Sequence, residues 1–533
     1  MRLWRGVVAA TAIALSFGLL LHLTGVLMPW AVRVGLVRIP PPPPLAAVRN
    51  ALSQLAGRTN VASGDAEDLA AATAFYEAHN GPLLWVAERG FSERGNSVIN
   101  EIRKADDWGL RATDFALPRL PAGPVSPDAA ARAEMALTFA VLKYARYARG
   151  GRFGNLSNIS KVLDYPLPVH RPGEVLNEIA ASHAPDDYLR SLHPKHEQFE
   201  ALRRLLLKLR GSHATASFGE NQDRTVLLAR VLVNMERWRW LPADLGGFYV
   251  WNNVPEFATR VVRKGEIIHS DRIVAGQPDW PTPAFSADMK MIVFHPSWGV
   301  PDGIRRKELL PRLRDRSQGG LLALFGGTQS TRSLLEEYQL QVTYQGRPVD
   351  PDKVDWSTAN IGAYEFRQPP GPKNPLGLIK FMFPNKHDVY MHDTPATERD
   401  LFARPYRGLS HGCMRVADPL RLATLLLAQD RGWSEQQVAS LLNGGTYEVK
   451  LATRIPVHMT YFTVLVDPQG NVRTFGDLYG LDTRMGEILF GTNVPFVTPN
   501  YDDEIAAMRE RYVASAPSGT PSIANAIANI FSP

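Results

Sequence analysis

In the first half of the chain, apolar residues recur at spacings of three and four, the period of one face of an α-helix. The pattern is clearest in AEMALTFAVLKYARYARGGRF (133–153), EQFEALRRLLLKLRG (197–211) and RTVLLARVLVNMERWRWLP (224–242). Each stretch carries one apolar stripe, so we expect amphipathic helices that pack on one another. The pattern predicts a helical scaffold domain over residues 46–245.

After Gly246 the chain changes to short runs rich in β-branched and aromatic residues, separated by turn residues. The runs predicted as strands are FYVWNNV (248–254), FATRVVRKGEIIHSDRIVAG (257–276), KMIVFH (290–295) and DVYMHD (388–393). Within the second run, RKGE predicts a hairpin turn. These features predict a mostly β domain over residues 246–455, and the chain as a whole is expected to be of the α+β class.

Three further segments complete the predicted organisation. Residues 301–372 form a long irregular insertion in the β-domain, and segments of that kind often serve as lids or binding loops. YFTVLVDPQGNVRTF (461–475) predicts a hairpin within a C-terminal extension over residues 456–499. Residues 500–533 are rich in Ala, Ser and Pro and predict a flexible tail.

The N-terminus carries an apolar run over residues 6–32 that is interrupted only by His22. A helix needs about 20 apolar residues to cross the hydrocarbon core of a bilayer, so this run is long enough to span it. Arg2 and Arg5 precede the run, in the order of a signal sequence, and no clear cleavage site follows it. We therefore expect residues 1–45 to form a single-pass anchor and a polyproline linker, with the rest of the chain outside the cytoplasm.

Composition and charge narrow the range of partners. Hydrophobic residues make up 45% of the chain and charged residues 21%, which are the proportions of an ordinary globular protein. The net charge is +6, but the basic residues are scattered rather than clustered. This distribution does not favour a nucleic-acid-binding protein.

The chain contains a single cysteine, Cys413, within the stretch SHGCMR. Cysteines of exported proteins usually pair in disulfides, so an unpaired one suggests a functional thiol, with an inert buried cysteine as the alternative. A thiol with an ordinary pKa of about 8.5 needs a base or a cation nearby to act as a nucleophile. His411 and Arg415 flank Cys413 two residues away on either side, and His392 ends the predicted strand VYMH. A strand end holds an imidazole rigidly, so His392 is the expected partner of the thiol.

Two other arrangements of these residues remain open at this point. A zinc site could be built from four side chains, those of His387, His392, His411 and Cys413, although their spacing matches no common zinc motif. Ser410 could act as a nucleophile with a histidine as its base, but the thiol three residues away is the better nucleophile. The residues therefore favour Cys413 as the nucleophile, with Gly412 allowing backbone N–H groups to face a developing oxyanion.

At these positions the sequence resembles a known family. VYMHDTP (389–395) and RGLSHGCMRVADP (407–419) resemble the signature of the YkuD-type L,D-transpeptidases, a histidine followed by Ser-His-Gly-Cys-x-Arg. Other stretches, such as NMERWRWLP (234–242) and HPSWGVPDGIRRKELLP (295–311), resemble the large, membrane-anchored YcbB-like subgroup. The resemblance extends from about residue 75 to residue 479.

Two features depart from that subgroup. Its members usually carry a small peptidoglycan-binding module before the ERWRWLP segment, and here only GSHATASFGENQDRTV (211–226) occupies the space. His295 stands where the family more often has Asn. Binding to the cell wall is then expected from the catalytic cleft, the scaffold domain or a partner protein.

The resemblance implies an enzyme that acts on peptidoglycan stem peptides and needs neither a cofactor nor a metal. Cys413 would form a thioester with a donor tetrapeptide, and an amine of an acceptor stem would resolve it into a 3–3 cross-link. His392 would be the acid–base residue, and His411 would orient the loop or steady His392. Contacts with the oxyanion or the substrate are expected from Ser410, Gly412, Met414, Arg415 and Trp298.

The same resemblance implies a location and leaves several activities open. The anchor would lie in the inner membrane and the catalytic domain in the periplasm, where cell-wall synthesis proteins are possible partners. Hydrolysis of the same bonds would instead make the protein an L,D-carboxypeptidase or endopeptidase. The protein could also attach a protein lysine to the wall, or it could be a non-catalytic scaffold tethered to the wall.

Overall fold

The computed structural model describes residues 43–56, 63–211, 224–317, 330–491 and 496. The described residues fall into two compact units. The first comprises residues up to 106 together with 110–147 and 170–192, and the second comprises 107–109, 148–169 and the residues from 193 onwards. Among the described residues, no helix has both the length and the apolar character needed to cross a bilayer. The predicted anchor (6–32) and tail (500–533) lie outside the described residues.

The first unit is helical, as the sequence predicts. Its helices are α1 (Pro43–Ala56), α2 (Ser63–Ala78), α3 (Glu93–Arg103), α4 (Pro127–Ala148), α5 (Pro172–Ala181) and α6 (Pro185–Ser191), and its short hairpin is formed by β1 (Val86–Ala87) and β2 (Gly90–Phe91). A buried carboxylate, Glu134 of α4, joins three segments of this unit. It accepts hydrogen bonds from the Leu84 N–H (2.6 Å), the Trp85 N–H (2.9 Å) and the Tyr76 hydroxyl of α2 (2.8 Å).

The second unit is built on a nine-stranded sheet. Its strands are β3 (Phe248–Asn253), β4 (Ala258–Arg263), β5 (Glu266–Gly276), β6 (Phe285–Phe294), β11 (Ile379–Met382), β12 (Met391–His392), β13 (Gly408–Ser410), β14 (Met414–Val416) and β15 (Tyr447–Thr460). The strand order is β13-β5-β14-β12-β11-β6-β15-β3-β4, and β5 also pairs with β4. Because of that extra pairing, eight of the strands close into a ring with β13 attached to β5. The α+β class is therefore confirmed.

Helices α7 (Glu197–Gly211) and α8 (Arg224–Trp240) belong to the second unit, whereas the sequence pattern grouped them with the helical domain that ends at residue 245. Their apolar stripes pack against the sheet. Trp238 of α8 shares a buried cluster with Trp251 of β3 and stacks on Phe462, with ring centroids 4.3 Å apart. Periodicity predicts a helix and its apolar face, but it does not identify the surface that covers this face.

The insertion predicted as irregular is an ordered subdomain where the structure describes it, so that part of the prediction was wrong. It contains α9 (Asp302–Ile304), a π-helical turn (Arg305–Leu309), α10 (Leu310–Ser317) and α11 (Thr331–Glu337). β7 (Trp298–Gly299), β8 (Gln341–Tyr344), β9 (Arg347–Pro348) and β10 (Tyr364–Gln368) form a sheet in the order β7-β10-β8-β9. Leu313, Trp356 and Phe366 belong to a hydrophobic core of its own.

Two predicted hairpins are confirmed. Lys264 and Gly265 connect β4 to β5 with positive φ values of 50° and 84°, which suit a tight turn between twisted strands. β16 (Val464–Val466) pairs antiparallel with β17 (Val472–Thr474). The remaining helices are α12 (Pro419–Arg431), α13 (Glu435–Ser440) and α14 (Leu481–Phe490). Asp418 caps the start of α12, where its side chain accepts a hydrogen bond from the Arg421 N–H.

Candidate active site

Three neighbouring strands bring the predicted site residues together. β12 runs parallel to β14, with Met391 opposite Met414 and His392 opposite Arg415. β11 runs antiparallel to β12, with Lys380 opposite His392. Because side chains alternate along a strand, His392 and Arg415 share one face of the sheet, and the two methionines share the other. Met391 and Met414 are fully buried in the hydrophobic core, so the prediction that Met414 contacts the substrate was wrong.

A cavity of about 410 Å³ lies over the face that carries His392. Residues from the sheet, the Cys413 loop and the insertion line it, among them Trp280, Trp298, Tyr390, His392, Ser410, His411, Gly412, Cys413 and Arg415. Cys413 is partly exposed, whereas His392 is only 5% exposed. A peptide that enters the cavity can therefore reach the sulfur, while the imidazole is shielded from solvent.

The loop that carries Cys413 is fixed by its own hydrogen bonds. The Ser410 hydroxyl donates to the Cys413 carbonyl (2.5 Å) and accepts from the Gly412 N–H (3.2 Å). The Thr282 hydroxyl donates to the Gly412 carbonyl (2.8 Å). Gly412 has a φ of +102°, a conformation that favours glycine. The Ser410 hydroxyl is thus engaged in holding the loop, which argues against its use as a nucleophile.

The His392 ring has a defined tautomer. Its Nδ1 lies 2.5 Å from the Asp393 carbonyl oxygen. A carbonyl only accepts, so Nδ1 carries the proton and Nε2 of the neutral ring is free to accept another. Burial, together with the charges of Arg415 and Lys380, lowers the pKa of His392 to about 3. The imidazole is therefore neutral at neutral pH, as a general base must be.

The Cys413 thiol is also neutral at rest. Burial raises the pKa of the Cys413 thiol, and hydrogen bonds from Tyr390 and the charges of Lys380 and Arg415 offset part of that rise. The sulfur lies 3.9 Å from the Asp388 carbonyl oxygen, to which a thiol can donate. We conclude that the free site holds a thiol and an imidazole rather than a preformed ion pair.

Tyr390 is a site residue that was not predicted from the sequence. Its hydroxyl hydrogen-bonds to the Cys413 sulfur and to Trp298 of β7. The Lys380 Nζ lies 3.8 Å from the centroid of its ring. The sequence contained the signal for Tyr390, because it precedes His392 by two residues in the predicted strand DVYMHD and would share its face.

The insertion contacts the rim of the cavity through two consecutive residues of its π-helical turn. Glu308 Oε1 lies 2.9 Å from His411 Nε2, and the Lys307 Nζ lies 4.1 Å from the centroid of the Trp280 ring. Trp280 and His411 lie next to each other, with ring centroids 5.2 Å apart. His411 therefore links the Cys413 loop to the insertion.

Arg415 lines the cavity, but its charge is already compensated. Its Nη1 lies 2.5 Å from Glu398 Oε2, and the side chain is 3% exposed. A substrate carboxylate at Arg415 would therefore compete with Glu398 for the guanidinium group. As the structure stands, Arg415 borders His392 and lowers its pKa.

The backbone N–H groups of the loop differ in whether they already have a hydrogen-bond acceptor. The Gly412 N–H is directed to Ser410, and the Met414 N–H donates to the Tyr390 carbonyl (3.1 Å). In the described part of the chain, the Cys413 N–H has no acceptor. This N–H lies beside the sulfur and is the donor best placed for an oxyanion.

The zinc alternative fails on geometry. His387 Nε2 lies 2.9 Å from Asp164 Oδ2, and His411 is directed to Glu308. No group of three or more His, Cys, Asp or Glu side chains that could hold a metal ion occurs within the described ranges. The four residues considered from the sequence thus do not converge on one point.

A partly exposed thiol and a neutral imidazole of fixed tautomer, lining one cavity, form the arrangement typical of cysteine-nucleophile enzymes. Comparison with known proteins gives family matches for two parts of the chain. Residues 247–449 match the model of the YkuD family, the L,D-transpeptidase catalytic domain, and residues 70–206 match the model of a scaffold domain. Residues 247–449 are therefore similar to the L,D-transpeptidase catalytic domain of the YkuD family. The membrane-anchored YcbB-like subgroup stays a prediction.

One curated protein and two solved structures that the chain is similar to carry names of the same kind. A "Putative L,D-transpeptidase" of Haemophilus influenzae is 30% identical over 258 residues, which are 48% of this chain and 48% of the relative. The chain thus spans about half the length of that curated relative. Two solved structures, an L,D-transpeptidase from Mycobacterium smegmatis and LdtMt1 in complex with imipenem, are 13% identical with TM-scores of 0.18. The matches cover 40% of this chain and 58% and 59% of those chains, and TM-scores this low do not bear on the fold.

Proposed function

We propose that the protein is a peptidoglycan L,D-transpeptidase that joins stem peptides through a thioester on Cys413. The observation that supports this most directly is the convergence of Cys413, Tyr390 and His392 on one cavity, with the Nδ1–H of His392 held by the Asp393 carbonyl. That arrangement leaves Nε2 as the base for the thiol proton. The YkuD family match to residues 247–449 supports peptidoglycan stem peptides as the substrate class.

The proposed reaction has two acyl-transfer steps. The Cys413 sulfur attacks the carbonyl of the third residue of a donor tetrapeptide while its proton passes to His392 Nε2. The carbon–nitrogen bond to the terminal D-Ala breaks, the amine takes the proton from the imidazolium, and a thioester remains. An acceptor amine then attacks the thioester, loses a proton to His392 and forms the new amide. The released sulfur recovers the proton, so both residues return to their initial state.

The location follows from the same proposal. The apolar run over residues 6–32 would anchor the protein in the inner membrane and leave the catalytic domain in the periplasm, beside its substrate. A thioester conserves the energy of the donor amide bond, so the reaction needs no nucleotide in that compartment.

The test is to incubate the full-length protein with tetrapeptide-rich muropeptides and to identify the products by mass spectrometry. We expect cross-linked dimers from the wild type and none from Cys413→Ala, which keeps the loop and removes only the sulfur. Free tripeptide without dimers would instead indicate a carboxypeptidase. Unchanged cross-linking by Cys413→Ala would contradict the proposal. Intact-mass measurement with a carbapenem provides a second readout, because Cys413 is the only cysteine of the chain; absence of both product and adduct would favour a non-catalytic scaffold.

A further inference from the structure

Lys380 is a cation behind the wall of the cavity, outside the SHGCMR loop. It lies on β11 opposite His392, and its Nζ lies 3.8 Å from the centroid of the Tyr390 ring. The hydroxyl of Tyr390 hydrogen-bonds to the sulfur of Cys413. The Tyr390 side chain therefore contacts both the ammonium group and the thiol.

The position of Lys380 argues against direct contact with a substrate. Tyr390, His392 and Cys413 line the cavity, whereas Lys380 is not among the lining residues. Its ammonium group also lacks a direct ion-pair partner: within the ranges that the structure describes, no carboxylate oxygen lies within 4 Å of its Nζ. A partly buried ammonium without a paired carboxylate acts on whatever charge develops nearby.

The other charged groups around the thiol do not replace Lys380. Arg415, on the strand that follows Cys413, is paired with Glu398 at 2.5 Å. His392 is neutral at rest, because its pKa lies well below 7. Asp388, the acidic residue whose charge reaches both Lys380 and Tyr390, would oppose the formation of a thiolate. Among the described residues around the thiol, Lys380 is thus an unpaired cation on the face of the sheet where the thiolate must form.

We propose that Lys380 is a positioning residue that prepares the Cys413–His392 pair, because its charge stabilises the thiolate as it forms and disfavours a protonated imidazole at rest. The two effects have one origin, since a positive charge attracts an anion and repels a second cation. Tyr390 keeps the two groups close together, because its ring contacts the ammonium group and its hydroxyl hydrogen-bonds to the sulfur. The inference rests on the proposed function, in which Cys413 is the nucleophile.

The test measures the rate at which iodoacetamide alkylates Cys413 at a series of pH values. The sample is the full-length, detergent-solubilised protein, and intact-mass measurement reports how much of it has been alkylated. The chain has no other cysteine, so the rate reports one thiol. The variants are Lys380→Met, which keeps the aliphatic stem without the charge, Lys380→Gln as a polar neutral replacement, and Lys380→Arg, which restores the charge. Lys450→Met is the matched control, because Lys450 is an exposed lysine on β15 of the same sheet and does not line the cavity.

We expect Lys380→Met and Lys380→Gln to shift the whole profile to higher pH by about one unit, which corresponds to an alkylation rate about tenfold lower at neutral pH. Lys380→Arg and Lys450→Met should retain the wild-type profile. A role in packing alone would lower stability without moving the profile, so superimposed profiles for Lys380→Met or Lys380→Gln and wild type would overturn the inference. An equal shift in Lys380→Arg would overturn it as well. Alkylation requires no peptidoglycan, so a wild type that fails to cross-link would refute the proposed function and leave this measurement intact.

Discussion

A methyl group added at Gly276 should disable the site from outside the motif. Gly276 ends β5 and pairs with Ser410, at the base of the Cys413 loop. A Cβ at this position would lie 2.1 Å from the Trp280 carbonyl oxygen, 2.7 Å from the Thr282 nitrogen and 3.0 Å from the Gly412 Cα. All three neighbours are backbone atoms, so no side-chain rotation can relieve the contacts. Gly276→Ala therefore forces the backbone on one or both sides to move.

The size of that movement sets the expected effect. Relieving a 2.1 Å contact to an ordinary van der Waals distance requires a displacement of about 1 Å, shared between the segment of Trp280 and the loop of Gly412. Misplacement of reacting groups by about 1 Å can reduce a rate by about 100-fold. Overpacking of a well-packed interior costs about 1–3 kcal/mol of folding stability, which leaves a domain of this size folded.

The assay is the second-order rate of carbapenem adduct formation at Cys413, measured by intact mass, with thermal unfolding followed in parallel. Gly247→Ala is the matched control, because an added Cβ there meets no heavy atom within 4 Å. We expect Gly276→Ala to form the adduct about 100-fold more slowly while Gly247→Ala keeps the wild-type rate. A folded Gly276→Ala protein that is acylated within about threefold of the wild-type rate would show that the loop position does not limit the chemistry.

Two further changes test the electrostatics of the site and of the scaffold. Tyr390→Phe removes the hydroxyl that hydrogen-bonds to the sulfur and keeps the ring. Because a hydrogen bond to a charged group contributes about 1.5–3 kcal/mol, carbapenem acylation should slow by about 10- to 100-fold. An unchanged acylation rate would exclude this role of the hydroxyl. In the first unit, burial raises the pKa of Glu134 to about 7. The folded unit then binds a proton that the unfolded chain has released, so its stability should fall by about 3 kcal/mol as pH rises from about 4.5 to 7. Glu134→Gln should reduce this slope in plots of melting temperature against pH and leave the part that comes from Asp68, whose pKa burial raises to about 6. A variant that keeps the full slope would show that Glu134 does not contribute.

The position of Cys413 and His392 at one cavity could be predicted from the sequence because it depends on local rules. A strand that ends in histidine and a glycine-containing loop each have a recognisable pattern, and the family signature joins them. Alternation along VYMH would also have identified Tyr390. Lys380 could not be found in this way, since its relation to His392 comes from antiparallel pairing between β11 and β12, and the sequence does not state which strands are neighbours.

Two predictions were wrong for related reasons: that the insertion is irregular, and that Met414 contacts the substrate. The strands β8 and β10, which pair in the insertion, are four and five residues long and lie far apart in the sequence, so their pairing could not be predicted from either segment alone. Met414 adjoins Cys413 in sequence, and proximity suggested a substrate contact. One step along a strand reverses the side-chain direction, so the residue next to the thiol points into the core instead.

Because Cys413 and His392 are both neutral at rest, the proposed thiolate has to form by proton transfer from the thiol to the imidazole. Transfer of the thiol proton creates an anion and a cation that line the same cavity, and opposite charges about 4 Å apart attract each other by about 4 kcal/mol at an effective dielectric constant near 20. That attraction offsets the desolvation that keeps each group neutral when considered alone. The thiolate is therefore favoured only together with the imidazolium, and a substrate that excludes the remaining water from the cavity strengthens this coupling. A thiol that stays protonated at rest is also a poor target for oxidation.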